Sequence, residues 1–222
     1  MILGIDTSLG TAVAVTDADG AVRAEAASTD PLGHAEIIGT LLQNALTDAA
    51  RGPIGATGAP QPIALTAVAA GMGPGPFTGL RVGIAAARAF ALGRGIPVIP
   101  VVSHDAAALA VFLADPFAEV ARFAVVTDAR RREFAYTVYD GVDDDGLPVR
   151  AVGPALVPRD QIDEVLADAG AERRDITSIP ATMLALVAAR AVAADRVEAL
   201  DEPLYLRAPD VTPPAARKKV GT

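Results

Sequence analysis

Two aspartates in this chain stand where a carboxylate could hold a metal ion or act as a general base, at the end of an apolar run and the start of a turn. Asp6 follows the apolar residues 2–5, and Asp128 follows residues 124–127. A turn aspartate also forms local hydrogen bonds, and the arginines at 130–132 would repel a metal ion from the second turn. The candidate ligand-binding residues are Asp6, Thr7, Ser8 and Asp128, but their pattern predicts neither a catalytic residue nor a metal site.

The consecutive residues Ser103, His104 and Asp105 have the side-chain types of a hydrolase triad. Adjacent residues at a helix start point in different directions, so they cannot form the required chain of nucleophile, base and orienting acid. Ser103 is instead predicted to cap the helix that follows. The other histidine, His34, has only Glu36 near it, off its helical face, and the sequence has no cysteine, so no zinc site is predicted.

A glycine-rich segment at residues 71–79 precedes a predicted helix. Glycine amides at such a position could cradle a phosphate. Pro74 and Pro76, however, lack amide N–H groups, and the segment has neither the Gly-Lys-Ser/Thr of a nucleotide loop nor an acidic residue ending the next strand. The pattern favours a rigid structural loop with Thr78 as the helix cap, and the phosphate cradle remains the alternative.

The elements that must position these residues indicate an α/β chain. Hydrophobic periodicity predicts an opening hairpin and a third strand, then helices over residues 33–50, 78–92, 103–114, 160–169 and 181–194, with a surface loop at 52–62. Residues 124–128 and 134–139 repeat the layout of the opening hairpin, although any two hairpins can look alike. Two lobes are expected, each opening on a hairpin whose turn faces a shared cleft.

Charge sets limits on the partners. The formal net charge is −8, which opposes direct binding of a nucleic acid. The basic residues Arg217, Lys218 and Lys219 are interpreted as part of a solvated tail.

Apolar stretches interrupted by Arg88 and Arg190 are too short to span a bilayer, the start does not resemble a signal peptide, and a cysteine-free chain suits a reducing cytoplasm.

One helix is apolar around its whole circumference. Apart from Arg81 and Arg88, residues 79–92 contain only Gly, Ala, Val, Ile, Leu and Phe. A helix of this kind is buried on every side. One side is expected to meet the sheet and the other a second protein; burial within the chain's own domain is the alternative.

Several segments together resemble the TsaB (YeaZ) family of accessory subunits in bacterial tRNA threonylcarbamoyladenosine synthesis. They occur in the family's order over nearly the whole chain, and the glycine segment is the most specific. The segments are Ile5-Asp6-Thr7-Ser8, the helix beginning near His34, Gly73-Pro74-Gly75-Pro76-Phe77-Thr78-Gly79-Leu80-Arg81-Val82-Gly83, Asp128-Ala129-Arg130 and Pro203-Leu204-Tyr205-Leu206-Arg207.

The resemblance implies an α/β ASKHA fold (actin-like, sugar-kinase-like, RNase H-like) in two lobes; from the residues, the C-terminal lobe of this chain is expected to be shortened. The expected division is an N-terminal lobe over residues 1–102, a C-terminal lobe over 103–207 and a flexible tail over 208–222.

The resemblance also implies a cytoplasmic scaffold and activator that is not an enzyme by itself. It would pair with a catalytic TsaD-like subunit, joined by a TsaE-like ATPase. ATP and metal then belong to the partner subunits, this chain has no cofactor of its own, and tRNA is bound only indirectly. A homodimer of the isolated chain is left open. The implied partner surface consists of Ile38, Leu41, Leu42 and Ala45 on one helix and Arg81, Ala85 and Arg88 on another.

Three features depart from the family. Pro76 replaces a usual serine, His104 replaces an apolar or small residue, and no strand is evident between Ala169 and Met183. Two other functions therefore stay open. One is a small kinase or ATPase of the same fold that uses Asp6 and Asp128, and the other is a homodimeric interaction protein unrelated to tRNA.

Overall fold

The computed structural model describes residues 1–30, 33–52, 62–114 and 121–207. The loop expected at 52–62 and the tail expected at 208–222 lie almost wholly outside these ranges. In chain order the elements are β1 Ile2–Asp6, β2 Thr11–Thr16, β3 Val22–Ser28, α1 His34–Ala49, β4 Ala67–Gly71, α2 Phe77–Arg94, β5 Val98–Val101, α3 Ser103–Ala114, β6 Phe123–Asp128, β7 Glu133–Val142, β8 Pro148–Pro158, α4 Ile162–Asp168, β9 Glu172–Asp175 and α5 Ala181–Ala193.

The first sheet has five strands in the order β3-β2-β1-β4-β5. β1 and β2 form the predicted antiparallel hairpin, whereas β4 pairs parallel to both β1 and β5. Parallel neighbours require crossover connections, which α1 and α2 provide. Every residue of β1 is buried, because helices cover both faces of this sheet.

The second sheet repeats this layout with four strands in the order β8-β7-β6-β9. β6 and β7 form an antiparallel hairpin, and β9 returns parallel to β6 after α4. The predicted repetition of the opening hairpin is therefore confirmed. No strand equivalent to β5 follows β9 in the described residues, so the second lobe is the shorter one, as expected.

The strand that the sequence does not show between Ala169 and Met183 is present in the structure. β9 occupies this interval and pairs with β6 in a register that sets Val125 opposite Arg174. Its sequence, Glu-Arg-Arg-Asp, contains no apolar residue because it is an edge strand with mostly exposed side chains. β8, another edge strand, was also not predicted.

Helices α3 and α5 pack between the two sheets and close one shared core. α5 lies near the C-terminus but packs mainly against β1 and β2 of the first sheet. Gly4 permits this approach, because a side chain there would overlap the carbonyl oxygen of Ala181. The proposed lobe boundary at residues 102 and 103 stays a prediction.

On the opposite side of the first sheet, α1 and α2 close a second core. α2 agrees with the predicted helix to within two residues at each end and stops at Gly95, whose left-handed conformation (φ 65°) ends it. The prediction that Thr78 caps this helix is wrong: Pro76 occupies the cap position and Thr78 lies exposed in the first turn.

Among the described residues, no helix is long and apolar enough to cross a membrane.

Candidate functional site

The two hairpins meet at a cleft of about 570 Å³. One wall is formed by residues 74–79 at the start of α2, and the other by residues 127–131 at the β6–β7 turn. Leu9, His34 and residues 205–207 complete the lining. The structure thus has a cleft between the two lobes, but it does not bear out the prediction that both turns face it: of the first turn, Leu9 lines the cleft, whereas Asp6, Thr7 and Ser8 do not.

The first turn is buried behind the cleft wall. Asp6 is 2% exposed and does not line the cleft. Its carboxylate accepts hydrogen bonds from the amide of Ser8, at 2.8 Å, and from the hydroxyl of Ser103. Burial raises the pKa of Asp6, and the hydrogen bonds from Ser103 and Ser8 oppose that rise. This carboxylate is therefore hydrogen-bonded to buried groups in the protein interior.

Glycines spaced four residues apart allow α2 and its preceding loop to cover that turn. A side chain at Gly71 would overlap Asp6, and one at Gly83 would overlap the Thr7 hydroxyl. A Cβ at Gly75 or Gly79 would lie 2.7 Å from an atom of the turn. The Thr7 hydroxyl also donates to the Gly79 carbonyl at 2.7 Å. The glycine segment is therefore a close-packing surface, which favours the structural-loop interpretation over a phosphate cradle.

The second turn is exposed and faces the cleft. Asp128 forms a 2.6 Å ion pair with Arg159 and accepts a 2.7 Å hydrogen bond from the amide of Arg130. The hydrogen bond from Arg159 is the main cause that lowers the pKa of Asp128. Arg130, Arg131 and Arg132 all have positive φ, at 62°, 50° and 63°. A non-glycine residue in this conformation is strained by roughly 1 kcal/mol, and such strain is common at binding sites.

The structure does not bring the two candidate aspartates together, since only Asp128 reaches the cleft. Within the described ranges, no group of three or more His, Asp or Glu side chains could hold a metal ion.

Ser103, His104 and Asp105 have different hydrogen-bond partners, and the described contacts do not join them to one another. The prediction that Ser103 caps α3 is wrong, because its hydroxyl donates to Asp6 and accepts from the amide of Gly73. His104 contacts the hydroxyls of Thr137, at 2.8 Å, and Thr127, at 3.0 Å. Burial, and secondarily the charge of Arg150, lowers the pKa of His104 to about 3.

Asp105 joins a network that the sequence did not indicate. It accepts hydrogen bonds from Tyr139, at 2.7 Å, and from Arg150, which also contacts Glu198. Burial raises the pKa of Asp105, and the hydrogen bond from Arg150 opposes that rise. Together the three adjacent residues that begin α3 connect this helix by hydrogen bonds to β1, β6, β7 and β8.

The predicted partner residues divide into two groups. On α1, Ile38 and Ala45 are buried in the chain's own core, and Leu41 and Leu42 are partly buried against it. On α2, Arg81, Ala85 and Arg88 are exposed. The partner surface itself stays a prediction.

Arg81 and Arg88 contact the chain's own C-terminal strap, which is defined here as residues 201–207. Arg81 donates to the Tyr205 hydroxyl at 3.0 Å and stacks 3.8 Å above the Phe77 ring. Arg88 donates to the Asp201 carbonyl. The amide of Leu204 donates to the Met72 carbonyl at 2.8 Å. The sequence identified the strap only as a family motif.

The strap also reaches the second lobe, where Arg207 forms an ion pair with Glu133. Residues 205–207 of the strap line the cleft, and the strap contacts both lobes. The charged and aromatic residue types at 203–207 were the only available sign of this role.

His34, the first residue of α1, is 5% exposed. Its Nδ1 lies 2.8 Å from the Thr11 hydroxyl. Its Nε2 has no hydrogen-bond partner among the described residues, and the side chain contributes to the cleft.

Two related lobes that open on antiparallel hairpins and share a cleft define an α/β protein of the ASKHA class. Residues 22–157, more than half of the chain, match the family described as TsaD: tRNA N6-adenosine threonylcarbamoyltransferase. The chain belongs to this family, and its function is accordingly related to threonylcarbamoylation of tRNA adenosine.

The chain is also similar to curated proteins and to a solved structure. Uncharacterized proteins of Mycobacterium tuberculosis and Mycobacterium bovis are each 38% identical over 224 residues, which cover 96% of this chain and 94% of each relative. The structure of YeaZ from Pseudomonas aeruginosa superposes with a TM-score of 0.70 at 22% identity, over 92% of this chain and 99% of that chain. The predicted resemblance to TsaB (YeaZ) is confirmed for the fold and for this wider family.

Proposed function

We propose that this chain is the non-catalytic scaffold and activator subunit of a cytoplasmic tRNA threonylcarbamoyladenosine synthesis complex, and that it pairs with a catalytic TsaD-like subunit. A TsaE-like ATPase would join the pair. In this arrangement ATP and metal act in the partner subunits.

The observation that carries the proposal is the covered first turn. Enzymes that share the ASKHA fold grip nucleotide phosphates between two exposed hairpin turns. Here Asp6, Thr7 and Ser8 are each at most 2% exposed, and the glycine loop lies directly on them. A phosphate could reach them only if α2 moved away, which would break the Thr7–Gly79 hydrogen bond. This geometry favours a supporting role over the kinase or ATPase alternative.

The outer face of α2 supports pairing. Arg81, Ala85, Arg88 and Leu92 recur at helical spacing on this face, and Leu92 is 85% exposed. Small residues such as Ala85 and Ala89 permit close approach of another helix. The net charge of −8 makes a partner, rather than this chain, the main contact for tRNA.

The test is reconstitution with the TsaD-like and TsaE-like proteins of the same organism. We expect the chain to co-purify with the TsaD-like protein and to be required for threonylcarbamoyladenosine formation, while the chain alone shows no ATP turnover. Turnover by the isolated chain that is lost in Asp6→Asn would instead establish the enzyme alternative. Self-association combined with failure to bind the TsaD-like protein would establish the homodimer alternative.

A further inference from the structure

The cleft carries positive charge although the protein as a whole is acidic. Arg130, Arg131 and Arg207 line it together with one acidic residue, Asp128, which is paired with Arg159. Arg207 pairs with Glu133 and Asp128 pairs with Arg159, so the positive charge that this cleft offers to an anion is that of Arg130, in a chain of formal net charge −8.

Arg130 is the arginine best placed to receive such a ligand. Arg207 already forms an ion pair with Glu133. The guanidinium of Arg130 is exposed, and within the ranges that the structure describes it has no hydrogen bond or ion pair of its own. Its strained backbone, with φ at 62°, keeps it at the cleft wall.

Most of the remaining wall is apolar. Pro74, Pro76 and Phe77 line it near the start of α2, and Leu156 and Leu206 also line it. A cleft of about 570 Å³ has the volume of a small-molecule site, and such sites combine apolar walls with a few polar groups that fix orientation. The walls therefore suit a ligand with an apolar body.

His34 supplies a second polar group. Its side chain lines the cleft, and among the described residues its Nδ1 is paired with the Thr11 hydroxyl. When the Thr11 hydroxyl donates to Nδ1, Nε2 carries the proton and is the donor left for a ligand.

We propose that the cleft binds a small molecule that carries an oxyanion, either a carboxylate or a phosphate monoester, on an apolar body. Arg130 binds the oxyanion, the proline and leucine walls cover the body, and His34 Nε2 donates to an oxygen of the ligand's polar group. This site differs from a phosphate grip between two turns, because the first turn is covered by α2. The inference stands whether or not the chain pairs with a TsaD-like subunit.

Isothermal titration calorimetry on the full chain tests the proposal with three probes that share a branched apolar body: 4-methylpentanoate, 3-methylbutyl phosphate and the neutral 4-methylpentan-1-ol. At least one anion should bind about tenfold more tightly than the alcohol, and the stronger anion identifies the preferred group. Equal binding of the alcohol, or no binding of either anion at millimolar concentration, would overturn the proposal.

Arg130→Gln and Arg132→Gln form a matched pair. Both side chains are exposed on the same turn at nearly equal φ, and each change removes one positive charge, but only Arg130 lines the cleft. Arg130→Gln should weaken anion binding about tenfold, and Arg132→Gln less than about twofold. Equal losses would show a long-range charge effect and refute the site. His34→Gln should weaken the binding of the anions and of the alcohol to the same extent. If this variant does not fold, the comparison of Arg130→Gln with Arg132→Gln still tests the proposal.

Discussion

The hydroxyl of Thr7 donates a 2.7 Å hydrogen bond to the carbonyl of Gly79. This bond fastens the first hairpin turn to the first turn of α2, and Gly83, one helical turn further on, leaves room for the Thr7 side chain. The contact turns a potential ligand site into an interior packing surface.

Gly83→Ala should destabilise the protein. Alanine favours a helix over glycine by about 1 kcal/mol, but the new methyl group would overlap the Thr7 hydroxyl, and overpacking of this kind costs about 1–3 kcal/mol. Gly93→Ala is the control, because Gly93 lies in the same helix with nothing within 4 Å of its Cβ position. Urea denaturation should show Gly83→Ala less stable and Gly93→Ala more stable than the wild type. A stabilised Gly83→Ala would contradict the close packing.

The stability of the protein should fall on acidification because of His104. Its folded-state pKa is lowered to about 3 from an unfolded value of 6.5, so the unfolded state binds the proton first. The neutral, buried histidine stabilises the fold above pH 6.5, and this contribution declines as pH falls from 6.5 towards 3. The slope is up to about 1.4 kcal/mol per pH unit.

His104→Gln isolates this effect. The variant keeps an amide for Thr127 and Thr137 but cannot titrate, so the difference in unfolding free energy between the two proteins should shrink as pH falls from 6.5 to 4.5. Asp6 and Asp105, whose raised pKa values act in the opposite sense, are present in both proteins and cancel. A constant difference across this range would show that His104 does not carry the dependence.

Leu92→Asp should abolish pairing with the TsaD-like subunit while leaving the fold intact. Leu92 is 85% exposed, so aspartate costs the isolated chain little, whereas an unpaired charge in a dry interface costs several kcal/mol and weakens affinity more than about a hundredfold. Leu42 is a poorer test because it packs partly against the chain's own core. Val192→Asp, at a 49% exposed position on α5, serves as the control and should pair normally. Normal pairing by a folded Leu92→Asp variant would exclude this face of α2.

Tyr205→Phe and Arg81→Gln should loosen the C-terminal strap to different extents. Tyr205→Phe removes only the hydrogen bond to Arg81, while Arg81→Gln also removes the stacking on Phe77. Each change should cost less than about 1.5 kcal/mol, with the larger effect for Arg81→Gln. Hydrogen exchange at the Leu204 amide, which is bonded to Met72, reports the release directly. Unchanged exchange in both variants would show that the strap is held by other contacts.

The strands and helices that could be predicted from the sequence are those with a strong internal pattern. The buried strand β1, the apolar helix α2 and the hairpin of β6 and β7 are marked by apolar runs whose lengths and flanking turn residues are typical of their type, so their type follows from local sequence. The edge strands β8 and β9 lack this signal, because their side chains are largely exposed and only pairing with a neighbour makes them strands.

The sequence likewise showed the residue types of the candidate site, but it did not show in which direction each side chain points. Asp6 and Asp128 follow strands in equivalent positions, yet Asp6 turns inward to Ser103 and only Asp128 reaches the cleft. The glycine segment stood out in the sequence, whereas its role depends on how closely α2 approaches the first turn.

The sequence by itself determined the order of hairpins and helices, the family motifs and the acidic charge, because each of these depends on neighbouring residues or on composition. Only the tertiary structure decided which groups are covered and which face the cleft. The contacts responsible join residues that are far apart in the chain: Ser103 lies 97 positions from Asp6, and Tyr205 lies 124 positions from Arg81. No local pattern encodes such pairs, since they form only when sheets and helices pack into one core.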